Sequence, residues 1–424
     1  PMQQSARMTS KTSYPKAKIN VVLVESIHPR ANDLFKAEGF QVQSMAGAPD
    51  AKKLAALVAD AHVLGIRSKS DVTPTILAAA PKLLTVGAFC IGTNQIAIDE
   101  ACKRGVPVFN SPFSNTRSVA ELTIAEAIGL HRGLGDKTMQ MHKGDWDKSA
   151  AGSHEVRGRT IGIVGYGHIG SQVSVLAEAM GMRIVFFDII SKMALGNARM
   201  MRSLKELLEV SDIVTLHVPA TKQTEGMIGK AELARMKKGS YLINNARGSV
   251  VDVGALAAAM KSGHIAGAAL DVFPDEPAAK GEKFDSPLQG LANVFLTPHV
   301  GGSTEEAQEA IAEDVCDKLI KFVNIGSTTG AVNVPEVELP EQLIRDGAKT
   351  VRPHRILHFH KNVPGVLSKM HTLIANMNAN ISAEYLRTNE DVGYVVLDVD
   401  PSDGEAIRKK LAEIPETIRV RVLW

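Results

Sequence analysis

Cysteine is scarce in this chain. The three thiols among 424 residues, Cys90, Cys102 and Cys316, form no CxxC pair and no metal-ligand spacing. No metal site is expected, and each thiol reads as a small buried hydrophobe in a reducing, cytoplasmic compartment. Charge of one sign is also lacking: 48 Lys and Arg against 46 Asp and Glu leave a net +2. That balance implies no surface for a polyanion and argues against a nucleic-acid partner. No apolar run reaches membrane-spanning length. Residues 1–18 are polar and basic and lack the apolar core of a signal peptide, so a disordered tail is expected there, with a transit peptide as the minor alternative. Aromatics make up only 4%.

What the chain does contain is 45% hydrophobic and 22% charged residues, ordinary for a soluble globular protein. Its length suggests two or three domains. Abundant Ala, Gly and Val suit α/β layers, where small residues let helices lie close to a sheet. Apolar strand patterns at 19–25, 62–66, 83–88 and 107–109 alternate with helical patterns at 54–60 and 98–104, the mark of βαβ units and a parallel sheet. A long helix is expected over 118–134, opened by a capping box of Ser118 and Glu121. A second α/β series has strands at 160–164, 183–187, 213–216, 241–244, 267–270 and 294–296, which fits a doubly wound dinucleotide-binding sheet. Residues 332–353 hold three prolines and mixed charges and read as a linker. The last segment runs strand 355–360, helix 365–375, strands 381–389 and 393–399, helix 404–412 and strand 417–423. That order is the βαββαβ ferredoxin-like motif.

Gly165-Tyr-Gly167-His168-Ile169-Gly170 stands between an apolar strand and a helical run. A GxGxxG motif is informative only in that setting. The first glycine permits the tight turn, the second lets backbone approach a pyrophosphate, and the third lets helix pack on strand. The helix N-terminus adds unpaired N–H groups for the phosphates. Eighteen residues on, Asp188 ends the next strand. A carboxylate there accepts from ribose hydroxyls and repels a 2′-phosphate, which selects NAD over NADP.

Four polar residues on three segments follow later strands, where doubly wound sheets bind ligands. Arg247 follows LINNA, Asp271 and Glu276 lie in ALDVFPDEP, and His299 follows VFLTP. Oxidising a 2-hydroxy acid needs a cation for the carboxylate, a base for the hydroxyl proton, and an acid to orient that base. Arg supplies a bidentate fork. His titrates near neutral pH, and Glu favours its protonated form.

The segments TIGIVGYGHIG, NNARG, ALDVFPDEP and TPHVGGST resemble the D-isomer-specific 2-hydroxyacid dehydrogenase family over residues 19–321. The resemblance implies Arg247, Glu276 and His299 as the catalytic set. It implies a cofactor lining of Gly165, Gly167, His168, Ile169, Gly170, Asp188, Asn245, Ala246, Arg247, Asp271, His299, Val300, Gly301 and Gly302. It also implies two doubly wound parallel-sheet domains: a discontinuous substrate domain (19–115 and 300–330) and a Rossmann NAD domain (116–299). A linker (331–353) and a ferredoxin-like ACT domain (354–424) then follow.

GAFCIGTNQ, VFNSPFSNTRSVAE, HFHKNVPGVL and NISAEYLR are similar to the branch of that family that oxidises 3-phosphoglycerate at the start of serine synthesis. In this branch Arg67, Ser68, Lys69, Asn115 and Lys148 are the expected substrate contacts. Lys148 lies in a region that reaches a neighbouring subunit in relatives. L-Serine would bind His360, Asn362 and Asn380 between two paired ACT domains. A dimer or a tetramer is expected, and reduction of 2-oxoglutarate is a side activity of some relatives. The Arg–Glu–His set alone does not separate this substrate from hydroxypyruvate or glyoxylate. An NAD-sensing corepressor is the alternative from another class, and the folded C-terminal motif argues against it.

Overall fold

Runs of four or five apolar residues bounded by Gly, Asp or Pro become strands buried on both faces. The computed structural model describes residues 15–277, 281–341, 344–346, 349–400 and 404–423; most of the expected N-terminal tail lies outside them. The chain divides into two compact units. One joins residues 1–114 to 308–424, and the other is 115–307.

The first unit holds a five-stranded parallel sheet of β1 (Asn20–Leu23), β2 (Gln41–Ser44), β3 (Val63–Ile66), β4 (Thr85–Ala88) and β5 (Val108–Asn110), in the order β2-β1-β3-β4-β5. Helices cover both faces. Helices Ala51–Val58 and Pro74–Ala78 bury Leu54, Val58, Ile76 and Leu77 on one side. Helix Glu305–Ile325 buries Val315, Leu319 and Phe322 with Phe35 and Phe109 on the other. Strand β2 escapes the sequence reading because its QVQS pattern is polar and mostly exposed, as an edge strand allows.

The second unit carries β6 (Thr160–Val164), β7 (Arg183–Phe187), β8 (Arg199–Met200), β9 (Ile213–Leu216), β10 (Ser240–Asn244), β11 (Ile265–Leu270) and β12 (Val294–Leu296). All are parallel, in the order β12-β11-β10-β9-β6-β7-β8. This is the doubly wound arrangement with one strand added at the β12 edge. Two-residue β8 was not read from the sequence. The long helix runs Thr116–Arg132, then breaks at Gly133 (φ 55°) into a second helix, Leu134–His142. The expected capping box is absent. Asn115 is the N-cap, and Ser118 lies one turn inside, where its hydroxyl meets Thr304 at 2.9 Å. Glu121 pairs instead with Arg117.

The hairpin β13 (Ile344–Asp346) and β14 (Lys349–Val351) precedes the C-terminal sheet. That sheet comprises β15 (His354–Lys361), β16 (Ile381–Thr388), β17 (Val392–Val399) and β18 (Thr417–Leu423), antiparallel in the order β16-β17-β15-β18. With helices Val366–Asn376 and Gly404–Ala412 on one face it is the expected ferredoxin-like module.

Two contacts go beyond the sequence reading. The module shares the first unit's core, with Leu357, Phe359, Tyr394 and Val396 packed in the cluster of Phe35 and Phe322. The segment from 331 also makes specific contacts at its start. Ala331 bridges Phe109, and Asn333 bonds Val106 O and Val108 N at 2.9 and 2.8 Å, satisfying the exposed edge of β5. Arg355, fully buried, grips Asp398 with two hydrogen bonds and donates to the carbonyls of Ile325, Leu339 and Pro340.

Candidate active site

Strand register puts the functional segments on one edge. Val164, Leu216, Asn244, Leu270 and Leu296 are consecutive partners across β6, β9, β10, β11 and β12. Everything that follows them emerges at the carboxyl edge of the sheet, about 4.8 Å from one strand to the next. The glycine turn, Arg247, Asp271 and His299 therefore share one crevice wall.

The glycine turn has the room and the closeness expected of it. Gly165 sits at φ 91°, and a Cβ on it would lie 2.6 Å from His217 O. A Cβ on Gly170 would lie 2.2 Å from Gly165 O. Both positions therefore demand glycine for the fold itself. A Cβ on Gly167 would meet nothing within 4 Å, so this glycine faces open space rather than protein. Helix His168–Ala179 starts there with no side-chain cap, and a helix N-terminus is the end that attracts anions. Asp188 accepts from Tyr166 N at 2.8 Å and Ile190 N at 3.0 Å, which fixes its carboxylate at the end of β7. Beside the turn stands His217, which the sequence reading passed over. Burial pushes its imidazole down to about 3, and its Nδ1 has no partner among the described residues. An open glycine, an uncapped helix start and a fixed acid fit NAD, which Gly167, the helix start and Asp188 would hold.

The acid–base pair is formed directly. His299 Nδ1 lies 2.9 Å from Glu276 Oε2, and Phe273 N donates to the other oxygen at 3.1 Å. Because a carboxylate only accepts, Nδ1 donates to Glu276, and Nε2 is the ring nitrogen that Glu276 does not engage. His299 has φ 55°, unusual for a side-chain-bearing residue. Asp271, 2% exposed, holds it there: its backbone O takes His299 N, and its carboxylate takes Thr297 Oγ1, Val300 N and Gly301 N within 2.8 Å. Thus the Asp271 carboxylate, expected in the cofactor lining, is spent on the histidine loop.

The Arg247 backbone is fixed beside that loop through its neighbour, and its guanidinium donates to Ala246 O at 2.6 Å. A Cβ on Gly248 would lie 2.0 Å from the Phe273 carbonyl, so the Arg-Gly turn rests directly on the loop that carries Glu276. Asn244 staples that turn, accepting from Ala246 N and donating to Arg247 O. The Asn245 amide points elsewhere, to Thr123 at 3.1 Å and Glu126 at 2.7 Å. Glu126 is another group the sequence reading missed. Burial is the main cause that pushes its carboxyl up to about 8.

The other expected contacts are distributed. Asn115 lies under Gly302, where a Cβ would meet its Nδ2 at 2.2 Å. Lys148 belongs to an exposed stretch with Trp146. In the first unit, Arg67, Ser68 and Lys69 follow β3 on a loop wrapped around Glu25. That buried carboxylate accepts from the backbone N of Arg67, Lys69 and Ser70 at 2.9–3.1 Å. Glu25 gave no signal in the sequence beyond ending an apolar run. Cys102 and Cys316 are buried as expected, whereas Cys90 is only half-buried, its thiol on Gly92 O. In the C-terminal module, His360 and Asn362 sit at one end of the sheet and Asn380 at the other, since Lys361 pairs Val392 while Ile381 pairs Val399. That spans roughly 20 Å at 3.4 Å per residue, too far for one small ligand within one chain.

This wall defines a class. Residues 124–301 match the model of the D-isomer specific 2-hydroxyacid dehydrogenase NAD-binding domain, and 356–419 that of an AHAS small subunit-like ACT domain. The chain belongs to the D-isomer-specific 2-hydroxyacid dehydrogenases and is an NAD-dependent oxidoreductase. More particularly, it is 50% identical over 419 residues to D-3-phosphoglycerate dehydrogenase of Dictyostelium discoideum, covering 98% of this chain and 100% of that one. It is 48% identical over 418 residues to the Escherichia coli enzyme of that name, with the same coverage. Among solved structures, D-lactate dehydrogenase of Aquifex aeolicus, complexed with NAD and lactic acid, aligns with TM-score 0.61 at 30% identity, covering 72% of this chain and 95% of that one. No helix among the described residues is long and apolar enough to cross a membrane.

Proposed function

We propose that this protein is a D-3-phosphoglycerate dehydrogenase, oxidising 3-phospho-D-glycerate to 3-phosphohydroxypyruvate with NAD as the first step of L-serine synthesis. The observation that carries the reading is the His299–Glu276 pair, on the same loop contact as the Arg247 turn. NAD, when bound, supplies the two-electron acceptor. Arg247 clamps the substrate carboxylate and orients C2. His299 Nε2 takes the proton of the 2-hydroxyl, and Glu276 steadies the imidazolium that results. Asp271 keeps the imidazole in place. The phosphate falls to the cations of the Arg67–Lys69 loop and to Lys148, the latter from a neighbouring subunit. His360 and Asn362 of one chain and Asn380 of a second bind L-serine across paired ACT domains, which favours a dimer or tetramer. Serine then slows turnover by stiffening that interface. Three unpaired thiols suit the cytoplasm.

The test is NAD reduction with 3-phosphoglycerate against lactate, glycerate and 2-hydroxyglutarate, with and without serine. A preference for an unphosphorylated acid would overturn the substrate assignment. His299→Ala should cut turnover at least 100-fold and leave NADH affinity within about twofold; equal losses in both would remove the base role.

A further inference from the structure

Two histidines of β15 form a hydrogen-bonded line whose proton positions can be counted. His358 is fully buried and His360 3% exposed, two residues apart and so on one face of the strand. Their rings stack with centroids 5.3 Å apart, and their Nδ1 atoms lie 3.3 Å apart. On its other side His358 Nε2 lies 2.8 Å from Thr417 Oγ1. Thr417 in turn donates to Leu411 O at 2.7 Å, near the end of helix Gly404–Ala412.

The counting starts at Leu411, because a carbonyl only accepts. Thr417 has one hydroxyl proton and gives it to Leu411 O. Its oxygen can then only accept from His358, so His358 Nε2 carries a proton. Burial disfavours the charged form of both imidazoles. Burial, then the neighbouring His360, pushes His358 down to about 3. Burial lowers His360, with a bond to the His358 backbone pulling the other way. A neutral His358 with its proton on Nε2 has a bare Nδ1, so the proton between the two rings belongs to His360 Nδ1. The remaining nitrogen, His360 Nε2, is bare. It lies over Gly393, where a Cβ would be 2.3 Å away, so a side chain on the facing residue of β17 would displace it.

We propose that Leu411, Thr417 and His358 act as positioning residues that lock His360 in its Nδ1–H tautomer, so that His360 Nε2 meets a hydrogen-bond donor of the effector, the ammonium or hydroxyl of a small amino acid, and turns away its carboxylate. This rests on the reading of His360 as an effector contact. It adds an orientation for the ligand, and it gives work to two residues outside the HFHKN motif. The carboxylate is left to the amide groups at the strand ends.

Long-range proton–nitrogen spectra of the full-length protein, labelled at histidine nitrogen and recorded without serine, test the lock by itself. The expected result is a proton on Nδ1 of His360 and on Nε2 of His358, with His358→Gln and His360→Asn assigning the signals. A proton on His360 Nε2 would overturn the proposal. Calorimetry with L-serine then tests its consequence. Thr417→Val should weaken serine binding roughly tenfold or more, the worth of one directional hydrogen bond to a charged group. Thr417→Ser, which keeps the hydroxyl, should restore both the affinity and the His360 signal. Unchanged affinity in Thr417→Val, or no rescue in Thr417→Ser, would sink the relay. Absence of serine binding to the unaltered protein, with the tautomers as stated, would instead reject the effector reading and leave the proton line standing.

Discussion

Replacing Glu126 by Gln should stabilise this protein in alkaline solution and change little in acid. Glu126 is 5% exposed on helix Thr116–Arg132. One oxygen accepts the Asn245 amide, and the other has no partner among the described residues. Burial raises its carboxyl most, the Asn245 bond lowers it, and the Asp271 charge raises it further, to about 8 from an ordinary 4.5. Between those two values the folded chain keeps a proton that the unfolded chain has released. Stability therefore falls as pH rises through that window and levels off above it. At about 1.4 kcal/mol per unit, the full fall is about 5 kcal/mol. Glutamine mimics the protonated acid, still accepts from Asn245, and cannot ionise. Calorimetric melting at pH 5 and pH 9 should show matched stabilities at the lower pH and a variant several kcal/mol more stable at the higher. Infrared spectra at neutral pH should lose one protonated-carboxyl band in the variant. A stability difference that stays constant from pH 5 to pH 9 would refute the buried, protonated acid.

The glycine turn predicts a split between folding and binding. Gly170→Ala forces a Cβ to within 2.2 Å of Gly165 O and should lower the melting temperature by several degrees. Gly167→Ala meets open space, so it should melt normally while NADH titration shows affinity down about tenfold or more. Gly248→Ala drives the Arg247 turn off the Phe273 carbonyl, and kcat/KM for 3-phosphoglycerate should fall at least 100-fold with NADH binding retained. Asp188→Ala removes the charge that opposes a 2′-phosphate, and the ratio of NADP to NAD turnover should rise at least tenfold in a steady-state comparison.

Much of the second unit was legible because its strands are unambiguous. TIGIV, RIVFF, IVTL and VFL are short apolar runs closed by Gly, Asp, His or Thr, and their bounds in the structure match the reading to the residue. The glycine motif was equally plain, since two of its three glycines answer to backbone contacts inside the motif or beside it. The helix start at residue 116 was not legible. A Ser three residues before a Glu looks like a cap, but here Ser118 is drawn to Thr304, a partner 186 residues away. The segment from 331 misled for a similar reason. Its prolines and charges suggest a tether, whereas Asn333 and Arg355 find carbonyls far along the chain.

What the sequence by itself determined is the set of chemical groups and the strand ends that carry them: an arginine, an acid and a histidine, each after its own apolar run, with a glycine turn and an acid for the dinucleotide. Local periodicity and hydrogen-bonding capacity are enough for that, because each depends only on neighbouring residues. Only the tertiary structure decided which atoms are engaged. It committed the Asp271 carboxylate to the histidine loop, seated Gly248 on the Glu276 loop, buried Glu126 against Asn245, and lined up Thr417, His358 and His360. Those outcomes depend on parallel strands in register and on burial, which bring residues separated by tens to hundreds of positions within hydrogen-bonding reach and remove the water that would otherwise compete for them.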